Sequence, residues 1–230
     1  MATNKIAWVT GGRGGIGSAV MTAFENANYH TLPVGKSSEN AWVIDLSHSR
    51  NIETLARKLR VADYPDIIVT CHAAPGMARD EDIVNLDLIG TMGITSYFTK
   101  KMIKNKWGRI INLTSYHSQA TYPHREGYAA AKAGVAGYSR SLALSLAEHN
   151  ITVNCVAPGV TETPRTRKFI KEGLVDEDRL LARTPLRRFA QPAEIADLVA
   201  FLASDKAEFI TGQEIVIDGG YGISNNPGDY

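Results

Sequence analysis

Few cysteines, no long apolar run and almost no net charge characterise this 230-residue sequence. Its two cysteines, Cys71 and Cys155, lie at the ends of apolar stretches, which favours buried reduced thiols over a disulfide. No Cys/His spacing is typical of a metal site, no run approaches the ~20 apolar residues that cross a bilayer, and no signal-peptide pattern precedes Lys5. The net charge of +1 argues against nucleic acid or an anionic membrane as the main partner. We therefore expect a cytoplasmic protein without a metal.

The sequence does contain enough apolar residues to form one large core. Apolar residues make up 44% of the chain and charged residues 21%, which is typical of a globular domain and excludes a disordered or coiled-coil class. Strand-like and helix-like segments alternate. The predicted strands are 5–10, 30–35, 42–45, 66–70, 108–113, 151–156 and 214–217, and the predicted helices are 15–27, 49–60, 84–105, 126–149 and 193–203. This order predicts a single α/β domain over residues 1–230, with a mostly seven-stranded parallel sheet covered on both faces.

A glycine-rich turn follows the first predicted strand. Gly11-Gly12-Arg13-Gly14-Gly15-Ile16-Gly17 separates this strand from a helix whose apolar side chains include Val20 and Phe24. Glycines let a backbone approach a pyrophosphate, and a helix N-terminus offers amide donors and a positive dipole end. A glycine cluster by itself is typical of any turn. Its position between a strand and a helix favours a dinucleotide-binding site.

A tyrosine and a lysine lie one helical turn apart in Tyr128-Ala129-Ala130-Ala131-Lys132. Both side chains therefore project from one face of the helix predicted over 126–149. A free tyrosine titrates near pH ~10, and a neighbouring ammonium group favours its ionised form. Ser115, thirteen residues upstream, follows a predicted strand and is suited to hold a carbonyl or hydroxyl oxygen beside the phenol. Alone, this spacing is more typical of a solvated helix face, but the glycine turn that accompanies it favours acid–base chemistry.

Four motifs in this order resemble those of the short-chain dehydrogenase/reductase family over nearly the whole chain. They are the glycine turn, the Ser115, Tyr128 and Lys132 set, the segment 154–163, and the late pair Thr211-Gly212-Gln213 and Asp218-Gly219-Gly220. The later motifs are most similar to the 3-oxoacyl-acyl-carrier-protein reductase-like branch. The resemblance implies a Rossmann-type doubly wound fold. It also implies a cofactor site made of Thr10, Gly11, Gly15, Ile16, Gly17, Asp45, Leu46, Ala73, Tyr128, Lys132, Pro158, Gly159, Val160 and Thr163.

The choice of nicotinamide cofactor depends on the residues after the second predicted strand. NAD-preferring relatives have an acidic residue there, whereas this chain has Lys36 and Ser37 and no acid before Glu39. Lys36, Ser37 and Arg13 are suited to a 2′-phosphate, which favours NADPH over NADH. Lys36 is alternatively an exposed turn lysine. Asp45 resembles an adenine-contacting aspartate or is a helix cap, a role for which Ser47 and Ser49 compete.

Two positions depart from the family pattern. The turn after the fourth predicted strand is Cys71-His72-Ala73-Ala74 instead of an asparagine-rich turn. His72 either replaces one of the lost hydrogen bonds or is structural. In the central helix, Asp87 takes the place of an asparagine that supports a proton-relay water in relatives, unless Asn85 has that role. We predict Asp87 as a fourth member of the catalytic group because it is suited to hold a water near Lys132 or to pair with it.

The sequence identifies the substrate-binding residues less clearly than the cofactor-binding ones. His117, Gln119 and Tyr122 lie between Ser115 and Tyr128, where they either line a substrate pocket or belong to a surface loop. The charged stretch at about 164–190 is either a lid over the substrate, as in the family, or a solvated helical excursion. The apolar stripe over 135–146 either faces the core or pairs subunits into a homodimer or homotetramer, as the family commonly does.

The resemblance therefore implies NADPH-dependent reduction of a ketone to a secondary alcohol, with Tyr128 as general acid. The expected partner is a small-molecule carbonyl or alcohol substrate. Two alternatives stay open: an NAD-dependent alcohol dehydrogenase, and a non-catalytic dinucleotide-binding scaffold. The presence of Ser115, Tyr128 and Lys132 argues against the scaffold.

Overall fold

A seven-stranded, entirely parallel sheet forms the centre of the computed structural model, which describes residues 5–75 and 78–224. The sheet order is β3-β2-β1-β4-β5-β6-β7. The strands are β1 (Ile6–Thr10), β2 (His30–Gly35), β3 (Trp42–Val43), β4 (Ile67–Thr70), β5 (Gly108–Leu113), β6 (Ile151–Pro158) and β7 (Glu214–Ile217). The Rossmann-type α/β fold predicted from the sequence is confirmed. The ends of the predicted domain, 1–4 and 225–230, lie outside the described residues.

Helices cover both faces of the sheet. They are α1 (Gly15–Asn26), α2 (Ser49–Lys58), α3 (Asp80–Ile83), α4 (Thr91–Tyr97), α5 (Lys100–Asn105), α6 (Glu126–Leu146), α7 (Pro164–Lys171), α8 (Glu177–Arg183) and α9 (Pro192–Ala203). Within the described part of the chain, none of these helices is long and apolar enough to cross a membrane.

Strand alternation divides the core into two layers. In β1, Ala7 and Val9 face α1 and α9, whereas Trp8 faces the layer that includes α2, α4, α5 and α6. Both faces are apolar because a parallel sheet is covered on both sides. This arrangement brings the carboxyl ends of β1, β4, β5 and β6 to one edge of the sheet, where ligands bind in such folds.

The central helix differs from the single helix predicted over 84–105. It begins at α3, continues through a π-helical segment (Val84–Gly90) into α4, and is interrupted before α5. Single π-helical turns inside α-helices occur frequently at functional sites. A Cβ on Gly90 would lie 2.8 Å from the Leu46 carbonyl oxygen, so the segment approaches the backbone after β3 closely. Asp87 lies within this segment and is buried.

The stripe predicted over 135–146 is mostly part of the core. Val135, Ala143 and Leu146 are buried, the last two against the sheet layer that contains Trp8, whereas Leu144 is 83% exposed. Assembly into a homodimer or homotetramer therefore stays a prediction, and most of this stripe does not supply its interface.

The stretch after β6 contains two short helices, α7 and α8. Thr163 caps α7 by accepting a hydrogen bond from the Thr166 amide at 3.2 Å, and Asp176 caps α8 through the Arg179 amide at 3.0 Å. Arg167 joins the two helices, since it pairs with both Glu162 and Glu177 at 2.6 Å. The predicted lid region is therefore a folded unit with its own internal ion pairs.

Candidate active site

Ser115, Tyr128 and Lys132 border one cleft of about 1180 Å³. Ser115 lies just beyond β5 and is buried, while Tyr128 and Lys132 lie one turn apart on α6. The Lys132 ammonium is 5.6 Å from the Tyr128 ring centroid and donates to the Leu113 carbonyl at 3.1 Å. The end of β5 therefore carries the serine to the cleft and anchors the lysine that lies beside the phenol.

Asp87 forms a buried ion pair with Lys132. One carboxylate oxygen, Oδ2, lies 3.4 Å from Lys132 Nζ, and the other accepts from the Ala74 amide at 2.7 Å. Burial alone would lower the pKa of Lys132, but the charge of Asp87, together with Tyr128 and the hydrogen bond to Asp87, outweighs it, so the pKa is raised. Asp87, not Asn85, therefore lies beside the lysine, as the first of the two sequence alternatives predicted. The pair keeps a positive charge next to Tyr128.

His72 connects the glycine-turn strand to the central helix. Its Nε2 donates to the Leu86 carbonyl at 3.1 Å, which leaves Nδ1 to accept from the Thr10 hydroxyl at 2.6 Å. Burial lowers the pKa of His72 to about 4, against the opposing effect of Asp87. The imidazole is therefore neutral near pH 7, and these contacts fit the structural alternative for His72.

The glycine turn has the close backbone approaches expected of a phosphate cradle. Gly11 has φ +66°, and a Cβ there would lie 2.9 Å from the Cys71 carbonyl oxygen. A Cβ on Gly15 would lie 2.7 Å from Thr163, so the turn also contacts the segment after β6. Helix α1 begins at Gly15, and its first-turn amides have no intrahelical acceptor. These residues fit a dinucleotide pyrophosphate.

Replacing Gly17 with alanine tests this cradle. The new Cβ would overlap the Gly11 carbonyl oxygen and lie 2.9 Å from Gly12 Cα, so the turn must open. We expect the dissociation constant for NADPH, measured by fluorescence titration, to rise at least about tenfold. Gly137→Ala is the control, because its Cβ would meet only the Arg140 side chain at 3.7 Å. Unchanged NADPH affinity in Gly17→Ala would contradict a phosphate-binding role.

Most other residues implied for the cofactor border the same cleft. They are Arg13, Gly15, Ile16, Gly17, Ala73, Pro158, Gly159, Val160 and Thr163. Thr10 and Leu46 are instead buried and are not part of the cleft lining. A Cβ on Gly159 would lie 2.7 Å from Asp218, which explains why this turn has no side chain.

Lys36 and Asp45, two of the residues predicted to contact the adenosine part of the cofactor, form an ion pair that the sequence did not predict. Lys36 Nζ lies 2.9 Å from Asp45 Oδ2, and Asp45 Oδ1 accepts from the Ser47 hydroxyl at 2.6 Å. Burial raises the pKa of Asp45, but hydrogen bonds from Ser47 and Lys36 outweigh it and lower the pKa to about 2. Asp45 does not cap α2, and neither Ser47 nor Ser49 does: His48 is the N-cap residue, without a side-chain cap. The helix-cap alternative is therefore wrong.

Two further polar groups lie near this ion pair. Arg13 donates to the Glu39 carbonyl at 2.7 Å, and Ser37 Oγ accepts from the Glu39 amide at 3.3 Å. Both contacts involve the short connection between β2 and β3. Arg13, Lys36 and Ser37 therefore all lie at or against one turn beyond the glycine cradle.

The three predicted substrate residues do not share one location. His117 and Tyr122 border the cleft, and the His117 ring lies 5.5 Å from the Tyr128 ring. Gln119 is not part of the cleft lining: its amide donates to Glu214 Oε2 at 3.0 Å. Glu214 also accepts from the Ser118 hydroxyl at 2.7 Å, so it anchors this loop. The substrate role predicted for Gln119 is not supported by its position.

Sequence reasoning missed several side chains of this cleft. Tyr221, which follows β7, has its ring 4.8 Å from that of Tyr116. Arg165 belongs to the predicted lid, but its contact was not predicted: it crosses from α7 to the turn after β4 and donates to the Ala74 carbonyl at 3.1 Å. Arg125 and Arg183 also border the cleft. Arg125 was detectable as a cation three residues before Tyr128. No local sequence pattern places Arg183 or Tyr221 at the same cleft.

Comparison with known proteins identifies the family. A family model described as enoyl-(acyl carrier protein) reductase matches residues 20–222. The 3-oxoacyl-(acyl-carrier-protein) reductase FabG of Thermotoga maritima is 34% identical over 243 residues, covering 94% of this chain and 97% of that protein. The chain therefore belongs to the short-chain dehydrogenase/reductase family. It is an oxidoreductase of the class that uses a nicotinamide dinucleotide and acts on a small molecule.

Solved structures agree with this assignment. A variant of the actinorhodin polyketide ketoreductase with NADPH has a TM-score of 0.86 and 28% identity, covering 96% of this chain and 99% of that one. A 4-hydroxyisoleucine dehydrogenase complexed with NADH has a TM-score of 0.86 and 26% identity, covering 95% and 98%. The fold is therefore compatible with either nicotinamide cofactor.

Proposed function

We propose that the protein reduces a ketone to a secondary alcohol with NADPH, and that Tyr128 is the general acid. The observation that carries this proposal is the position of Ser115, Tyr128 and Lys132 on one cleft that also borders the glycine turn. Relatives named as 3-oxoacyl reductases and a ketoreductase with NADPH support the same reaction type. The test is the loss of NADPH absorbance in the presence of a panel of ketones.

The chemistry follows from the hydroxyl groups at the cleft. Ser115 and Tyr128 hold the ketone oxygen, and Tyr128 donates its proton to that oxygen. Lys132, kept charged by Asp87, stabilises the phenolate that remains after proton transfer. When bound, the dinucleotide supplies the hydride. Residues 164–190 act as the substrate lid, a proposal supported by the Arg165 contact with Ala74.

The residues that would hold the cofactor fall into two groups. The glycine turn and the first-turn amides of α1 fit the pyrophosphate, and Lys132 fits the nicotinamide ribose. Lys36, Ser37 and Arg13 fit a 2′-phosphate. To bind Lys36, this phosphate would have to compete with Asp45 for the Lys36 ammonium. This competition makes the preference for NADPH directly testable.

Replacing Lys36 with alanine is expected to raise the NADPH dissociation constant about tenfold, because one charge-assisted contact to phosphate is lost. The NADH dissociation constant should change by less than about twofold, since NADH carries no 2′-phosphate. Both are measured by fluorescence titration. Arg57→Ala is the matched control, because Arg57 is exposed on α2, where it pairs with Glu53 one turn away. Equal weakening of both cofactors in Lys36→Ala would argue against 2′-phosphate recognition.

A second candidate is an NAD-dependent alcohol dehydrogenase. The specific observation in its favour is the Lys36–Asp45 pair, which partly neutralises the cation proposed for the 2′-phosphate. A similar structure that is a dehydrogenase complexed with NADH adds to it. Tighter binding of NADH than NADPH by the parent protein would favour this candidate. Cytoplasmic location and assembly into dimers or tetramers stay predictions.

A further inference from the structure

We propose that Arg125 and Arg183 form an anion-binding subsite at the substrate end of the cleft, so that the ketone is reduced as part of an organic acid. The inference rests on the proposed ketone reduction and names the substrate class for the same site. It concerns two arginines that border the cleft together with Tyr128.

Both guanidinium groups lie beside aromatic rings of the substrate side. The Arg183 guanidinium is 4.5 Å from the Tyr221 ring centroid, and that of Arg125 is 5.8 Å from the Tyr122 ring centroid. His117, whose ring packs against Tyr128, feels both charges: burial first, then Arg125 and Arg183, lowers its pKa to about 4. The two arginines therefore act on the immediate surroundings of the phenol.

Neither arginine has a carboxylate partner among residues 5–75 and 78–224. Other arginines of the same stretch do: Arg167 pairs with Glu162 and Glu177, and Arg188 pairs with Glu194. Glu162, Glu177 and Glu194 are thus paired with arginines outside the cleft lining. A half-buried cation that lacks a counter-ion gains most from an anionic ligand.

Asp176, the one acidic side chain of the cleft lining among the residues that the structure describes, does not change this balance. Asp176 borders the cleft, and its Oδ1 accepts from the Arg179 amide as the cap of α8. Arg179 also borders the cleft, so the lid contributes more positive than negative charge there. The excess of positive charge is local, because the chain as a whole has a net charge of only +1.

The cofactor phosphates are expected at the other side of the cleft. The glycine turn follows β1, whereas Tyr221 follows β7, and β4, β5 and β6 lie between them. The Tyr221 ring, over which Arg183 lies, packs against the Tyr116 ring on the substrate side of the cleft. Arg125 and Arg183 are therefore placed for a charge on the substrate. The tyrosine rings beside them fit its carbon skeleton.

The test compares oxo acids with their uncharged methyl esters, and hydroxyketone phosphates with the parent hydroxyketones. For the parent protein we expect kcat/KM for the anion to exceed that for its neutral partner at least about tenfold. Arg125→Met and Arg183→Met should each remove most of this ratio by raising KM for the anion only. Lys104→Met is the control, because it removes one exposed charge from α5, outside both the proposed lid and the cleft lining. The carboxylate and phosphate series identify which anion is preferred.

Calorimetric titration of the NADP⁺-bound protein with the same compounds gives a second readout. If the parent protein binds the anion more tightly than its neutral partner, and this difference disappears in Arg183→Met, the subsite is supported even when neither compound is reduced. Absence of reduction would overturn the proposed ketone reduction and not the subsite. Equal binding of the anion and its neutral partner would overturn the subsite, whatever the turnover. The subsite would also be overturned if the arginine variants lost turnover of the anion and of its neutral partner to the same extent, so that their ratio did not change.

Discussion

Tyr128→Phe is expected to lower kcat about a thousandfold, within the range that a positioned general acid contributes. The substitution removes only the hydroxyl group, while the ring keeps its contact with His117 and its place beside the Lys132 ammonium. The NADPH dissociation constant should therefore change by less than about threefold. Steady-state turnover and fluorescence titration of the same preparation separate these two effects.

A matched variant controls for the loss of a tyrosine hydroxyl in general. Tyr97→Phe removes the same group from a side chain that is 37% exposed at the end of α4, outside the cleft lining. Its turnover should equal that of the parent protein. Near-normal turnover of Tyr128→Phe would rule out the proposed proton donor, and weakened NADPH binding with intact turnover would assign the phenol to the cofactor instead.

Lys132→Met is expected to lower the free energy of unfolding by about 3–5 kcal/mol and to abolish turnover. The lysine is the only cation within 4 Å of the Asp87 carboxylate among the described residues, and both side chains are almost fully buried. Removing it leaves a buried, uncompensated charge in a site where Oδ2 has no other hydrogen-bond partner. Urea unfolding and steady-state turnover measure the two effects.

The double variant Asp87→Asn/Lys132→Met separates stability from chemistry. Asparagine can still accept the Ala74 amide hydrogen bond and leaves no buried charge, so stability should recover to within about 2 kcal/mol of the parent protein. Turnover should stay absent because the positive charge beside Tyr128 is still missing. Recovery of turnover would contradict the role proposed for Lys132. Continued instability would show that the charge of Asp87 is not what destabilises the single variant.

Asp87→Asn alone tests Asp87 as a positioning residue. The carboxylate raises the pKa of Lys132, so the lysine stays charged to higher pH in the folded protein. The stability that the ion pair contributes to the folded protein is lost only as pH rises through that raised pKa. Without the carboxylate, the alkaline limb of the activity–pH profile should move to lower pH. A purely structural role for Asp87 would change stability but leave that limb in place.

Local patterns in the sequence were sufficient for the fold and for the first members of the site. Strand and helix periodicity, together with the glycine turn, predicted the seven-stranded parallel sheet, because each element depends mainly on residues close in sequence. Tyr128 and Lys132 were found in the same way, since one helical turn relates them. The family resemblance then extended these local signals along the chain.

Only the tertiary structure decided which distant side chains meet. The sequence left open whether Asp87 or Asn85 lies near Lys132, and the structure decides for Asp87, which is buried in the π-helical segment and pairs with the lysine. The Lys36–Asp45 pair, the turn of Gln119 towards Glu214, and the position of Arg183 over Tyr221 join different elements of the fold. Such contacts depend on how strands and helices pack, and the same residue types in sequence are equally consistent with exposed, unpaired side chains.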